Sequence, residues 1–100
     1  MKKILLKNAK LVLENKLING SILIFKNKIE RIFTDKYNLS EFTFDEVIDL
    51  EGKYLGPAFI DVHTHGADGA DAMDGSEEAL RKISKYLVQE GTANFLATTL

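Results

Sequence analysis

The chain has 100 residues, of which 45% are hydrophobic, so it can form an ordinary globular domain. Its 13 basic and 15 acidic side chains give a formal net charge of −2, which argues against a nucleic acid or a membrane surface as a partner bound by bulk charge. Cysteine is absent, which excludes disulfides and thiolate metal sites. With no apolar stretch of roughly 20 residues to span a bilayer, a cytoplasmic protein is expected.

The first half of the chain is typical of short strands separated by turns. Aliphatic runs predict strands at residues 4–6, 11–13, 21–25 and 29–33, with a tight turn at 26–28 because Asn27 tolerates the left-handed conformation. The polar residues 34–46 are predicted to be a loop, and residues 47–50 a further strand. The four strands up to residue 33 predict a small antiparallel sheet, and the predicted β subdomain covers residues 1–55.

The second half, residues 56–100, has a different pattern. Pro57, the only proline, marks the entry to an apolar strand at residues 58–62, because proline is excluded from the middle of a sheet. A glycine-bearing loop, a helix and a second apolar strand at residues 94–100 follow. This order is that of a βαβ unit, so the fold class is α/β with the two strands parallel.

The helix has the clearest sequence signals. Asp74 is the expected N-cap, with Glu77 three residues later as in a capping box. An apolar stripe for the core consists of Leu80, Ile83 and Leu87, and Gly91 is the expected stop. Met73 and Phe95 are also predicted to lie in the core.

The chain ends on its second parallel strand. Parallel strands are normally covered on both faces by helices, yet no covering segment follows residue 100. We therefore expect this chain to be the truncated start of a longer fold.

The only two histidines, His63 and His65, stand two residues apart at the carboxyl end of the first parallel strand. Side chains alternate along a strand, so both are expected on one face with Phe59 and Asp61. Active sites of α/β folds lie at this end of the strands, and neutral imidazole is the commonest metal ligand. The pattern predicts that His63 and His65 bind one metal ion, with Asp61 one pleat deeper to brace the site or accept a hydrogen bond.

The glycine-bearing loop, residues 66–75, carries several aspartates but lacks both the order of an EF-hand calcium loop and the lysine pattern of a phosphate-binding loop. It is interpreted as a tight connection at the rim of a site.

Residues 56–66 read Gly-Pro-Ala-Phe-Ile-Asp-Val-His-Thr-His-Gly and resemble the Pro-Gly-Phe-Ile-Asp-x-His-x-His-Gly signature of the amidohydrolase superfamily. Residues 91–99, Gly-Thr-Ala-Asn-Phe-Leu-Ala-Thr-Thr, are similar to a strand of the N-acetylglucosamine-6-phosphate deacetylase family. Ala58 replaces a usual glycine, and Asn94 stands where small or β-branched residues are more usual. The resemblance spans nearly the whole chain and identifies it as the amino-terminal part of such an enzyme.

The resemblance implies a small β-sandwich followed by the first βαβ portion of a (β/α)8 barrel. It also implies metal-dependent deacetylation of N-acetylglucosamine 6-phosphate, with zinc or iron as the divalent cofactor and a homo-oligomer as the complete enzyme. His63 and His65 correspond to the metal ligands of the family's first barrel strand. No catalytic residue is assigned within these 100 residues: the general base, the other ligands and the phosphate-binding residues are expected beyond Leu100, and this chain alone is expected to be inactive.

Two alternatives stay open. The same signature occurs in amidohydrolases that act on cyclic amides, such as dihydroorotase and dihydropyrimidinase. The chain could also be a truncated, non-catalytic module that serves as a scaffold.

Overall fold

A computed structural model describes all residues from 1 to 100, which divide into two compact units, residues 1–57 and 58–100. The first unit contains five strands: β1 (Lys3–Val12), β2 (Leu17–Phe25), β3 (Lys28–Thr34), β4 (Glu46–Asp49) and β5 (Tyr54–Leu55). They form one sheet in the order β3-β2-β1-β4, with β5 paired to the distal part of β1.

The sheet is mixed, and the predicted antiparallel pairing is confirmed for its first three strands. The strands β1, β2 and β3 are antiparallel neighbours, whereas β4 and β5 both run parallel to β1. Parallel pairing requires a long connection, and residues 35–45 provide it by crossing from the β3 edge to the β4 edge.

Residues 1–57 form a single sheet, so these residues provide one sheet of the expected sandwich and its second sheet stays a prediction. The connection between β3 and β4 packs on one face of this sheet. Its side chains Leu39, Phe42 and Phe44 lie against a buried cluster of Leu5, Leu23 and Phe33. The predicted loop also contains a 3₁₀ turn at Leu39–Glu41. The aromatic residues scattered through this segment therefore serve as its packing surface.

The first strand is longer than predicted. The two predicted segments, residues 4–6 and 11–13, belong to the single strand β1, which carries a bulge between Leu6 and Ala9. Asn8, inside the bulge, has a φ of 57°, which asparagine tolerates better than most residues. The polar residues between the two predicted segments are therefore accommodated within the strand.

The predicted turn between β2 and β3 is confirmed. Lys26 and Asn27 both have positive φ, of 52° and 60°. Two such residues make the type I′ turn whose twist matches that of a two-residue β-hairpin.

The second unit contains β6 (Phe59–Thr64), β7 (Gly66–Ala67), β8 (Ala70–Asp71), α1 (Glu77–Gln89) and β9 (Thr92–Ala97). The strands β6 and β9 are parallel, with Phe59 opposite Thr92 and Thr64 opposite Ala97, so the predicted βαβ order is confirmed. The glycine-bearing loop forms a short hairpin, β7–β8, whose turn consists of Asp68 and Gly69, both with positive φ. No helix of this structure is both long enough and apolar enough to cross a membrane.

The helix begins later than predicted. Its N-cap is Ser76, whose Oγ accepts a hydrogen bond from the backbone N–H of Ala79, so the assignment of Asp74 was wrong. Gly75 has a left-handed φ of 64° and cannot continue a right-handed helix, so α1 has to start after it. Asp74 instead ends a 3₁₀ turn (Ala72–Asp74) and accepts from the backbone N–H of Asp71. Gly91, with a φ of 88°, follows the helix as predicted.

The predicted apolar stripe of α1 is only partly correct. Ile83 is buried together with Ala79, Leu87 is half-buried, and Leu80 is 42% exposed. The buried face is therefore rotated from the predicted one toward Ala79. Met73 is 56% exposed, so its assignment to the core was wrong, whereas Phe95 is half-buried.

Candidate metal centre

The two histidine side chains meet at the carboxyl end of β6. His63 lies within the strand and His65 directly follows its last residue. The Nε2 atoms of the two rings are 3.2 Å apart, and the ring planes are inclined by 76°. The structure thus brings together the two residues that the sequence singled out.

The distance between the two nitrogens fits a shared metal ion. Zinc binds imidazole nitrogen at about 2.0–2.1 Å with tetrahedral geometry. Two such bonds to nitrogens 3.2 Å apart enclose an angle of about 100–106°, close to the tetrahedral value. Little rearrangement of either ring is therefore needed for His63 and His65 to bind one ion together.

A hydrogen bond fixes the tautomer of His65. Its Nδ1 lies 3.0 Å from the carbonyl oxygen of Thr98, just beyond the end of β9. A carbonyl can only accept, so Nδ1 must carry the proton, and in the neutral ring this leaves the lone pair on Nε2. Metal-binding histidines in proteins commonly show this arrangement, in which the nitrogen away from the metal donates to a carbonyl.

Sequence reasoning did not find the role of Thr98. The signal was present in the prediction that β6 and β9 are parallel neighbours, because their carboxyl ends then lie at the same edge. The residue that follows β9 is therefore expected near the residue that follows β6.

The backbone around His65 is also held in place. The carbonyl oxygen of His65 accepts from the N–H of Ala72 at 2.7 Å, and the N–H of Thr98 donates to the carbonyl of Thr64 at 2.8 Å. The His63 ring, in contrast, is exposed, and its polar contact is with the His65 ring. Of the two histidines, His65 is the one whose orientation the surrounding fold determines.

Asp61 acts on the backbone of the site. Its side chain is half-buried, and its Oδ1 accepts a hydrogen bond from the backbone N–H of His63 at 3.0 Å. The expectation that Asp61 accepts a hydrogen bond is met, but the donor is the main chain and neither imidazole ring. Asp61 therefore contributes to the local path of β6 at His63.

Asp71 and Asp74, two of the aspartates of residues 66–75, have structural partners. Asp71 accepts from the backbone N–H of Met73 at 2.8 Å, and Asp74 accepts from that of Asp71 at 2.9 Å. This reciprocal capping explains the carboxylates without a metal ion. No group of three or more His, Cys, Asp and Glu side chains in residues 1–100 is arranged to hold one, so His63 and His65 form a two-ligand pair.

No family model matches the chain. It is 39% identical over 98 residues to an N-acetylglucosamine-6-phosphate deacetylase of Bacillus subtilis, a match that covers 97% of this chain and 24% of the enzyme. It is also 40% identical over 84 residues to a dihydroorotase of a Sulfurihydrogenibium species, covering 77% of this chain and 19% of that enzyme. The chain thus spans less than a quarter of the length of these two relatives.

The fold shows the same likeness. An N-acetylglucosamine-6-phosphate deacetylase from Pasteurella multocida superimposes with a TM-score of 0.82 at 22% identity, over 95% of this chain and 25% of that structure. By both sequence and fold, this chain is a relative of N-acetylglucosamine-6-phosphate deacetylase, an amidohydrolase, over about a quarter of that enzyme's length.

Proposed function

We propose that the protein containing this chain is a metal-dependent amidohydrolase that hydrolyses N-acetylglucosamine 6-phosphate to glucosamine 6-phosphate and acetate. The observation that carries the metal-dependent chemistry is the 3.2 Å approach of the two Nε2 atoms, with the His65 tautomer set for ligation. The proposed substrate is inferred from the similarity to the Bacillus subtilis enzyme.

His63 and His65 would hold a divalent ion, zinc or iron, through their Nε2 atoms. When bound, such an ion would polarise the acetamide carbonyl and would lower the pKa of bound water toward neutrality. The contribution of this chain is orientation: the Thr98 carbonyl holds the His65 ring, and Asp61 holds the backbone that carries His63. Catalytic zinc normally has three protein ligands, so we propose that residues outside this chain complete the site and that the chain alone is inactive.

The exposed apolar surface of β6 supports a larger barrel around the site. Ile60 and Val62, which alternate with the histidines along the strand and so lie on its other face, are 67% and 68% exposed. We propose that β6, α1 and β9 are the first βαβ portion of a (β/α)8 barrel, whose remaining strands and helices would bury these side chains.

Hydrolysis of a cyclic amide is the second candidate. The dihydroorotase of Sulfurihydrogenibium is 40% identical over 84 residues, and the histidine pair fits either chemistry because both need a metal ion beside an amide carbonyl.

The test uses the complete protein loaded with zinc or iron. Acetate release from N-acetylglucosamine 6-phosphate supports the proposal, whereas hydrolysis of dihydroorotate alone supports the second candidate. Turnover of neither substrate contradicts both and favours a non-catalytic module.

Variants then test the site. Replacing His63 and His65 together by alanine is expected to lower metal content and turnover. Asn94→Ala is the control, because Asn94 is an exposed polar residue on the neighbouring strand, opposite Ile60. Metal content and turnover that stay unchanged in the double variant would show that the histidines are not ligands.

A further inference from the structure

We propose that Thr98 is a positioning residue whose backbone, and not its side chain, sets the orientation and tautomer of His65. The inference deepens the proposed function, on which its metal-binding part rests. It is founded on the hydrogen bond between the His65 Nδ1 and the Thr98 carbonyl, which links residues 33 positions apart.

The backbone of Thr98 is itself tied to β6. The N–H of Thr98 donates to the carbonyl of Thr64 at 2.8 Å, which ties the end of β9 to the end of β6. The Oγ1 of Thr98 lies 3.2 Å from the carbonyl of Leu96 and donates to it. The backbone N–H of Thr98 therefore bonds to the residue before His65, and the backbone C=O of Thr98 bonds to the His65 ring.

This arrangement removes two freedoms that a histidine at the end of a strand otherwise keeps. A neutral imidazole can carry its proton on either nitrogen, and its ring can turn so that either nitrogen faces the site. With Nδ1–H bound to the Thr98 carbonyl, Nε2 faces His63 and retains its lone pair. Loss of such a partner typically lowers metal affinity by about 10–100-fold.

The first measurement needs no substitution. In the metal-free complete protein, long-range ¹H–¹⁵N correlation spectra of the imidazole rings report which nitrogen of His65 carries the proton. The expected result is protonated Nδ1 and unprotonated Nε2 on His65. A ring protonated on Nε2, or an even mixture of the two tautomers, would overturn the proposal.

The second measurement uses two substitutions at position 98 and zinc as the probe. Thr98→Pro removes the N–H that bonds Thr64, which displaces the carbonyl, whereas Thr98→Val keeps both backbone groups and loses only the hydroxyl. Competition with a chromophoric chelator is expected to show zinc affinity reduced by about 10–100-fold in Thr98→Pro and unchanged in Thr98→Val. Equal losses in both variants would assign the effect to the side chain and refute the proposal.

The two measurements separate this inference from the function on which it rests. If Thr98→Pro fails to fold, as circular dichroism would reveal, the tautomer in the unsubstituted protein still decides. A His65 protonated on Nδ1 in a protein that binds no zinc would leave the positioning role standing and remove the proposed metal function. If the protein binds zinc but its metal-free His65 is protonated on Nε2, the proposed metal function stands and the positioning role of Thr98 is refuted.

Discussion

Gly66, the residue after His65, allows a sharp test of how the β7–β8 hairpin supports the site. A Cβ added at Gly66 would lie 2.1 Å from the carbonyl oxygen of Ala70, across the hairpin. Real Cβ atoms essentially never come closer than 3.0 Å to another heavy atom, so Gly66→Ala requires β7 and β8 to separate by about 1 Å. The position of a Cβ is fixed by its own backbone, and the atom that it meets is a backbone oxygen, so no side-chain rotation relieves the contact.

The expected cost follows from this geometry. Overpacking of this kind costs about 1–3 kcal/mol, and one broken ladder hydrogen bond adds about 1 kcal/mol, so Gly66→Ala is expected to destabilise the fold by about 2–4 kcal/mol. Gly69→Ala is the matched control in the same hairpin. Gly69 has a φ of 77° with nothing within 4 Å of an added Cβ, so the variant incurs only the left-handed strain of about 1–2 kcal/mol.

Urea unfolding of the metal-free protein measures the two costs, and zinc titration measures their effect on the site. The carbonyl of His65 accepts from the N–H of Ala72 just beyond the hairpin, so separation of the strands should displace His65 as well. Zinc affinity is therefore expected to fall more in Gly66→Ala than in Gly69→Ala. Equal stability losses in the two variants would refute the steric argument, and equal zinc affinities would refute the link to His65.

Three further predictions concern stability. Ser76→Ala removes the N-cap of α1 and should reduce the free energy of unfolding by about 1 kcal/mol in urea titrations, a loss absent if the cap lies elsewhere. In the 100-residue chain, Ile83→Ala should reduce the free energy of unfolding by about 2–5 kcal/mol and Leu80→Ala by clearly less, because Ile83 is buried and Leu80 is exposed. Equal reductions in the two variants would contradict the observed buried face of α1. Hydrogen bonds from the Glu51 backbone, and next from the Asn8 amide, lower the pKa of Asp49. The ionised Asp49 therefore stabilises the fold fully above the unfolded pKa of 3.8, and this stabilisation is lost as the pH falls through the lower folded pKa. Asn8→Ala should raise the pKa of Asp49 in a carboxyl NMR titration, and an unchanged pKa would exclude the Asn8 hydrogen bond as a cause.

Local patterns were sufficient for much of the fold. The apolar runs at residues 58–62 and 94–100 predicted two strands, and the intervening helix made them parallel, because a short hairpin can only join antiparallel strands. The turn at Lys26 and Asn27 was also predicted from a local signal, because asparagine is one of the few residues that tolerate positive φ. In these places the sequence leaves few physical alternatives.

Errors arose where two local signals competed or where a distant partner decided. Asp74 and Ser76 are both good N-cap residues, and the left-handed Gly75 between them, whose conformation the sequence does not specify, decides for Ser76. The parallel strands β4 and β5 could not be predicted, because β1 can pair on its free edge in either direction. The path of the connection over the face of the sheet decides, and that path depends on Leu39, Phe42 and Phe44 packing on a distant cluster.

The candidate metal centre shows the same division between local and distant information. The spacing of His63 and His65 on one strand is a local property, and it was enough to identify the pair and its expected chemistry. The orientation of the His65 ring is a different matter, because a hydrogen bond to one ring nitrogen decides which nitrogen keeps the lone pair. For His65 that partner is the carbonyl of Thr98, 33 residues away, which the parallel pairing of β6 and β9 brings within 3.0 Å. A histidine pair at the end of a strand therefore becomes a stronger indication of metal binding once the neighbouring parallel strand is known, because that strand provides the acceptor that fixes the ligand.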